Sequence, residues 1–306
     1  MRVAVIGAGA VGGWVAARLA LAGEQVMAMS SRGPIRRIEL TEDGETTSVD
    51  FARFDGATEM LMIAVKAPAL ADAAEAARPL IRADTIVLPM LNGVPWWFTD
   101  EPLHCVDPDN RIALALSASQ VIGTVVHAAC NRPAPDHVIV THADKILIGE
   151  PGGETSERLA ELFAMFEQAG LKPDMTGNVR RAIWYKLWGN ATINPLSALT
   201  RLTADKLLAD PAIRAFMLEG MAELAEIGAA IGCPIAESGE DRMAVTARLG
   251  EFKPSMLQDV EAGRRIELEA LLGAPREIAA RHGIATPTLD RIYAKTHQLA
   301  EELKLL

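Results

Sequence analysis

A glycine-rich turn close to the start of the chain constrains the fold more than any other feature. Residues 3–6 are apolar and mostly β-branched, and Gly7, Gly9 and Gly12 follow them at G-x-G-x-x-G spacing. In this pattern the first glycine permits a tight turn, the second lets the backbone approach a pyrophosphate, and the third lets helix and strand pack closely. A helix predicted over residues 10–22 then directs free N–H groups at the phosphates. The stretch predicts a dinucleotide site; the alternative is a glycine-rich turn that binds nothing.

The residues after the second predicted strand, residues 25–29, indicate which dinucleotide is bound. NAD sites usually carry Asp or Glu here, whereas this chain has Ser30, Ser31, Arg32 and Gly33. Arg32 can pair with a 2′-phosphate, and the serine hydroxyls can donate hydrogen bonds to it. NADP (NADPH) is therefore favoured over NAD, with a solvated arginine face as the alternative. Two further arginines that could add to the positive field are Arg36 and Arg37.

Composition and charge narrow the functional class. The chain has 306 residues, 50% hydrophobic and 23% charged, so it is globular and long enough for about two domains. A net charge of −10 argues against nucleic acid as a partner. Three cysteines without a C-x-x-C pair indicate free thiols in a reducing compartment, and six histidines without ligand spacing predict no metal site. Since no signal peptide or membrane-spanning run is seen, we expect a cytoplasmic location and no membrane partner.

Hydrophobic periodicity predicts an α/β domain followed by a helical one. We expect an α/β fold with an N-terminal Rossmann dinucleotide-binding domain at 1–177 and an all-helical C-terminal domain at 178–306. In the first domain, strands are predicted at 60–65 and 85–88, further strands that complete the sheet at 112–116, 123–128 and 138–148, a hairpin at 39–54, and helices at 70–81 and 154–169. In the second, helices are predicted at 179–199, 204–208, 210–231, 238–249, 255–265, 266–282 and 287–302.

The helix predicted at 179–199 is apolar except along one face. Lys186, Asn190 and Asn194 recur every four residues, which stacks them on that face. Burying them without partners would cost about 1–3 kcal/mol for each neutral group and more for the ammonium, so the face should line a polar cleft. A lysine in such a cleft has a lowered pKa, which suits a general acid. The alternative is a structural lysine with two asparagines that bridge helices.

Other polar residues stand at places where ligands bind in open α/β sheets. Lys66 and Asn92 each follow a predicted strand, so both are expected to meet cofactor or substrate. Nearer the C-terminus, a predicted helical stretch contains three polar residues, Ser255, Asp259 and Glu267. On pattern alone, each of these three is a solvated helix residue rather than a site residue.

In chain order, these motifs resemble the ketopantoate reductase (2-dehydropantoate 2-reductase) family over nearly the whole chain, from about residue 1 to residue 290. The motifs are the glycine loop, Val65-Lys66-Ala67, Asn92-Gly93-Val94, Lys186-x₃-Asn190-x₃-Asn194-Pro-Leu-Ser197-Ala198-Leu199, and Ser255-Met256-x-Gln258-Asp259 with Glu267. The resemblance implies reduction of a 2-oxo acid by NADPH, in a cleft between a Rossmann domain and a helical domain.

The resemblance also implies roles for single residues. Lys186 would be the general acid, and Arg32 matches the family's arginine after the second strand. The substrate contacts would be Asn92, Asn190, Asn194, Ser255 and Glu267. The cofactor contacts would be Gly7, Ala8, Gly9, Ala10, Val11, Gly12, Ser31, Arg32, Lys66, Asn92 and Glu267.

The chain departs from the family pattern in places that bear on the substrate more than on the chemistry. Leu91 stands where many members have glutamine, and a more apolar pair usually replaces Ser30-Ser31. The Trp96-Trp97 segment is long and aromatic, like a loop or lid over a cleft. The expected function is NADPH-dependent reduction of a 2-oxo acid, above all 2-dehydropantoate to pantoate, as in pantothenate biosynthesis. The alternatives are a different 2-oxo acid and a non-catalytic NADPH-binding sensor, which would not need the polar face of Lys186. The expected partner is the small-molecule 2-oxo acid, and a homodimer stays open.

Overall fold

A computed structural model describes residues 1–248 and 250–306 of the chain. In chain order its strands are β1 (Arg2–Ile6), β2 (Gln25–Ser30), β3 (Gly33–Ile35), β4 (Arg37–Glu42), β5 (Glu45–Asp50), β6 (Met60–Ile63), β7 (Ile86–Pro89), β8 (Gly123–Ala134), β9 (His137–Gly149) and β10 (Pro173–Met175). Its α-helices are α1 (Ala10–Leu21), α2 (Leu70–Ala77), α3 (Arg111–Ala115), α4 (Glu157–Gln168), α5 (Val179–Thr200), α6 (Ala204–Ala209), α7 (Pro211–Ala230), α8 (Gly239–Ala247), α9 (Ser255–Glu261), α10 (Ala274–Arg281) and α11 (Pro287–Leu303).

The chain divides into two compact units. The α/β unit consists of residues 1–65, 69–91 and 110–182, and the helical unit consists of residues 66–68, 92–109 and 183–306. Residues 66–68, which come after β6, and residues 92–109, which come after β7, therefore belong to the helical unit. Across the described residues, no helix has the length and apolar character that crossing a membrane requires.

The first sheet of the α/β unit has the order β3-β2-β1-β6-β7, in which β2, β1, β6 and β7 are parallel and β3 is an antiparallel edge strand. All four residues of β6 are buried, and so are residues 3–6 of β1. Strands covered on both faces have continuous apolar sequences, which is why the two runs were predictable. The Rossmann-type α/β architecture is confirmed.

The remaining strands form a second sheet instead of completing the first. Its order is β10-β9-β4-β5, with β8 paired to β9, and α1 packs against strands of both sheets. The predicted hairpin is present as β4–β5, and its turn residues Asp43 and Gly44 both have positive φ. The expectation that 123–128 and 138–148 extend the first sheet was wrong, because these strands pair with each other and with the hairpin.

Residues 112–116 were predicted as a strand, but residues 112–115 lie in helix α3 and Leu116 is its C-cap. Ile112 and Leu116 are buried and Leu114 is exposed, which is the spacing of a helix face. Arg111 donates hydrogen bonds to Glu75 and Asp72 on α2, at 2.8–3.1 Å, and so anchors the start of α3. A five-residue apolar run does not by itself distinguish a strand from a buried helical turn.

Helices α5 to α11 form most of the helical unit, close to the predicted ranges. Asp210 caps α7 by accepting hydrogen bonds from Ala212 and Ile213, at 2.9 and 3.0 Å. The helix predicted at 266–282 begins later, and residues 269–273 form a π-helical turn before α10. α9 ends at Glu261 rather than at residue 265. The predicted end of α8, Leu249, lies outside the described residues.

Candidate active-site residues and family membership

The glycine turn joins β1 to α1 in a geometry that two of its glycines require. Gly7 has a φ of +89°, in the left-handed region that favours glycine. The N–H groups of Gly7 and Ala8 both donate to Met29 O at 2.9 Å, which ties the turn to the end of β2. A Cβ on Gly12 would lie 2.4 Å from Gly7 O and 2.8 Å from Ala64 Cβ. The close packing of helix and strand predicted from the motif is present.

The start of α1 is suited to an anion. Its N-cap is Gly9, and no side-chain cap is found among the described residues. The N–H groups of the first turn and the positive end of the helix dipole are therefore available to a phosphate. A Cβ on Gly9 would meet a single described atom within 4 Å, Gly7 O at 3.8 Å. The space beside Gly9 is open, as a phosphate-binding loop needs.

The segment after β2 holds the predicted cofactor-selecting residues. Ser30 Oγ donates to Gly33 O at 3.1 Å and accepts the Arg32 N–H at 3.2 Å, so it shapes the turn. Ser31 and Arg32 are exposed. Arg37 donates to both carboxylate oxygens of Asp50, at 2.6 and 2.9 Å. Arg37 thus already has a carboxylate partner, which offsets part of the positive field expected from it.

Helix α5 carries the predicted polar face and is held in place by its tryptophans. The indole N–H groups of Trp184 and Trp188 donate to Leu224 O and Met221 O on α7, at 3.0 and 2.8 Å. Both side chains are fully buried. Two buried aromatic anchors with satisfied N–H groups set the rotation of the helix, so its polar face lies on another side. On that face, Lys186 and Asn190 are half-buried and Asn194 is buried.

The polar face is hydrogen-bonded to residues from distant parts of the sequence. Asn190 Nδ2 donates to Asn92 Oδ1 at 3.0 Å, and Asn92 Nδ2 donates to Glu267 Oε2 at 3.4 Å. Glu267 Oε1 accepts the Ala67 N–H at 3.3 Å. One turn along the helix, Asn194 Nδ2 donates to Ser255 Oγ at 3.3 Å. The structure thus brings together the five residues predicted as substrate contacts.

Burial shifts the pKa values of two titratable groups in this cluster, Lys186 and Glu267. It lowers the pKa of Lys186 to about 8, and the negative charge of Glu267 opposes that decrease. Burial also raises the pKa of Glu267, while the Ala67 N–H, Lys66 and Asn92 act in the other direction. A lysine with a pKa near the working pH can exchange its proton readily, so the cluster contains a group suited to general acid chemistry.

Asp259 is a buried residue of this region, although its pattern indicated a solvated one. Only 4% of it is exposed, and it forms ion pairs with Lys66 and with Arg264, the latter at 3.0 Å. The signal that could have found it is its place on α9, three residues after buried Met256. Lys66, predicted at the cofactor, is thus held by a carboxylate of the helical unit.

The aromatic segment after Asn92 is not an exposed lid. Trp96, Trp97 and Phe98 are 5%, 4% and 2% exposed, and the Phe98 ring stacks on Trp184 with centroids 5.9 Å apart. The segment contains no helix or strand, as the loop interpretation expected, and its rings are buried rather than exposed. Their burial indicates a packing role for the segment.

Comparison with known proteins identifies the family. Residues 3–153 match the family described as "Ketopantoate reductase PanE/ApbA", and residues 178–300 match "Ketopantoate reductase PanE/ApbA C terminal". A 2-dehydropantoate 2-reductase from Mesorhizobium japonicum is 35% identical over 99% of this chain and 98% of its own. Another, from Aquifex aeolicus, is 26% identical over 95% of this chain and 94% of its own.

Solved structures agree with this assignment. A crystal structure assigned as a ketopantoate reductase from Ralstonia solanacearum MolK2 has a TM-score of 0.93 and 42% identity, covering 100% of this chain and 99% of the other. A ternary structure of D-mandelate dehydrogenase with NADH and anilino(oxo)acetate has a TM-score of 0.85 at 18% identity over the full length of both chains, which shows a shared fold. The family predicted from the order of the motifs is confirmed: the chain belongs to the ketopantoate reductase family of oxidoreductases.

Proposed function

We propose that this protein reduces a 2-oxo acid to a 2-hydroxy acid with NADPH, and that its substrate is 2-dehydropantoate, which becomes pantoate. The observation that carries the proposal is the cluster around Lys186, where a lysine with a pKa of about 8 shares a helix face with hydrogen-bonded asparagines. The 35% identical relative named 2-dehydropantoate 2-reductase supports the choice of substrate.

In this proposal the helical unit performs the acid chemistry. Lys186 Nζ stabilises the negative charge that grows on the keto oxygen and donates a proton to it, a contribution of about 10²–10⁴-fold. Asn190, Asn194 and Ser255 donate hydrogen bonds to the substrate carboxylate and hydroxyl. Glu267 and Asn92 orient Asn190, which the existing hydrogen bonds already do. A non-catalytic sensor would have no use for a lysine with a lowered pKa on this face.

The residues of the glycine turn fit a dinucleotide. The open space beside Gly9 and the uncapped first turn of α1 suit a pyrophosphate, and exposed Arg32 suits a 2′-phosphate. Bound there, NADPH supplies the hydride. The proposed contacts are Gly7, Ala8, Gly9, Ala10, Val11, Gly12, Ser31 and Arg32, together with Lys66, Asn92 and Glu267. We also propose residues 1–177 as the cofactor domain and 178–306 as the substrate domain, and a cytoplasmic location in keeping with three cysteines that form no disulfide.

Oxidation of NADPH by a panel of 2-oxo acids tests the proposed function. We expect the purified protein to reduce 2-dehydropantoate with the highest kcat/KM, and to use NADPH in preference to NADH. The panel should include 2-oxoisovalerate, pyruvate and phenylglyoxylate, which differ in the size of the group beside the ketone. A higher kcat/KM for another member would reassign the substrate within the family. Binding of NADPH without turnover of any member would favour the sensor.

The pH dependence of the reduction should report the pKa of Lys186. The ammonium is the proton donor, and it is lost as the pH rises through about 8. At saturating NADPH, kcat/KM for reduction should therefore be level below that pH and fall about tenfold for each pH unit above it. The measurement is a series of initial rates from pH 6 to pH 10 at constant ionic strength. A profile that stays level to pH 10 would exclude Lys186 as the titrating acid.

A further inference from the structure

A pocket in the α/β unit is lined by two segments that are far apart in the sequence. One is Ser30–Ile35, which contains Arg32 and follows β2; the other is Arg132–Pro135, at the end of β8 and the start of its turn into β9. The sequence motifs indicated only the first of these segments. The second brings another arginine to the same pocket.

An irregularity in the β8–β9 ladder accompanies this position of Arg132. Asn131 pairs with Ile139 and Ala134 pairs with His137, so the register shifts between them. Arg132 and Pro133 lie within the shift, and a proline there has no N–H to donate to the ladder. Such a bulge interrupts regular pairing and changes the direction of a side chain.

The guanidinium of Arg132 is only partly satisfied by the protein. It donates a hydrogen bond to Pro135 O, but its buried Nε has no partner among the described residues. Neither Arg32 nor Arg132 forms an ion pair with a carboxylate in the described chain. Burial lowers the pKa of Arg132, the charge of Arg32 lowers it further, and Asp136 partly offsets both. Two arginines thus repel each other across a pocket in which neither forms an ion pair with a described carboxylate, although Asp136 lies close enough to Arg132 to offset part of the repulsion.

We infer that Arg132 is a second specificity-determining residue for the cofactor, which contacts the 2′-phosphate of NADPH together with Arg32. The inference rests on the proposed use of NADPH. A phosphomonoester carries nearly two negative charges and accepts several charge-assisted hydrogen bonds, so it would relieve the repulsion and pair with the guanidinium groups of both arginines. NADH lacks this group and would gain nothing from Arg132. Selection of NADPH would then depend on a pair of arginines.

Calorimetric titration of NADPH and NADH into wild type and arginine variants tests the inference. Arg132→Ala should weaken NADPH binding about 10-fold and change NADH binding by less than about twofold, because a charge-assisted hydrogen bond is lost only for the phosphorylated cofactor. Arg32→Ala should have the same selective effect. Arg53→Ala is the matched control: Arg53 is an exposed arginine of the α/β unit outside the pocket lining, and it should change neither affinity.

Fragments of the cofactor separate the phosphate contact from other causes. Adenosine 2′,5′-bisphosphate should lose affinity for Arg132→Ala, whereas 5′-AMP and inorganic phosphate should not distinguish it from wild type. If Arg132→Ala unfolds, Arg132→Gln is the second variant, because it removes the charge but keeps an N–H donor on a shorter polar side chain.

Different outcomes of these titrations would overturn the proposed cofactor and the proposed role of Arg132. If wild type binds NADH as well as NADPH, the proposed cofactor is wrong. If wild type prefers NADPH and only Arg32→Ala loses that preference, the inference about Arg132 is overturned while the cofactor proposal stands. Equal losses for both cofactors in Arg132→Ala and Arg132→Gln would make Arg132 a residue that supports the adenosine pocket, which also overturns it.

Discussion

Replacement of Lys186 by alanine is expected to lower kcat at least about 100-fold, the low end of the contribution of a positioned general acid. The reason is that the variant lacks the ammonium whose pKa is about 8 and leaves only water to protonate the alkoxide. NADPH affinity should change little, because the glycine turn lies in the other unit. The measurements are steady-state kinetics with 2-dehydropantoate and a separate titration of NADPH.

Two further variants, one at a control lysine and one at Asn190, test whether the loss of kcat is specific to Lys186. Lys206→Ala removes an exposed lysine of α6, also in the helical unit, and should leave kcat unchanged. Asn190→Ala should chiefly raise KM, because its hydrogen bonds to substrate exist in ground and transition states alike. The effects of Lys186→Ala and Asn190→Ala should not add fully if both residues hold one ligand.

The opposite result would mean that another residue is the general acid. If circular dichroism shows a folded Lys186→Ala protein that turns over within a few-fold of wild type, Lys186 is structural. Lys66 would then be the next candidate. Its ammonium is held in an ion pair with buried Asp259, so such a mechanism would need that pair to open.

The parts of the fold that were predictable from sequence are those with a local signal. Apolar runs flanked by glycine and proline located β1, β2, β6 and β7, and helical periodicity located the helices of the second unit. The prediction failed at 112–116, where five residues are too few to show a period. It also failed for the partners of β8 and β9, because pairing between strands nearly 100 residues apart, such as β4 with β9, leaves no local trace.

The residues of the candidate site were likewise predictable from sequence only where the signal is local. The spacing of Lys186, Asn190 and Asn194 on one helix predicted their shared face, since four-residue spacing is a local property. Asn92 was predicted from its place after a strand, whereas Glu267 was assigned only by family resemblance. The hydrogen bonds among these residues depend on tertiary packing. Arg132 was missed altogether, because only the folded hairpin brings it beside Arg32.

Two glycines of the turn should respond to the same substitution in opposite ways. Gly12→Ala is expected to destabilise the α/β unit by about 1–3 kcal/mol, because its Cβ would lie 2.4 Å from a backbone oxygen, that of Gly7, which cannot rotate away. Gly9→Ala should cost the fold less than Gly12→Ala, since its Cβ has open space and the cost is confined to a ψ of −145°, which alanine adopts less readily than glycine. That open space is where the pyrophosphate should lie, so Gly9→Ala should weaken NADPH binding about 10–100-fold.

Thermal unfolding without cofactor and titration of NADPH distinguish the two glycines, and each variant is the control for the other. The expected pattern is a markedly lower unfolding midpoint for Gly12→Ala, and a smaller decrease of the midpoint with poor NADPH binding for Gly9→Ala. This pattern would mean that Gly9 serves a ligand, because the fold itself has room for a side chain there. Normal NADPH affinity in a stable Gly9→Ala protein would place the pyrophosphate away from the turn. The glycine at position 9 would then be a spacer, and the anion-binding role assigned to the start of α1 would be wrong.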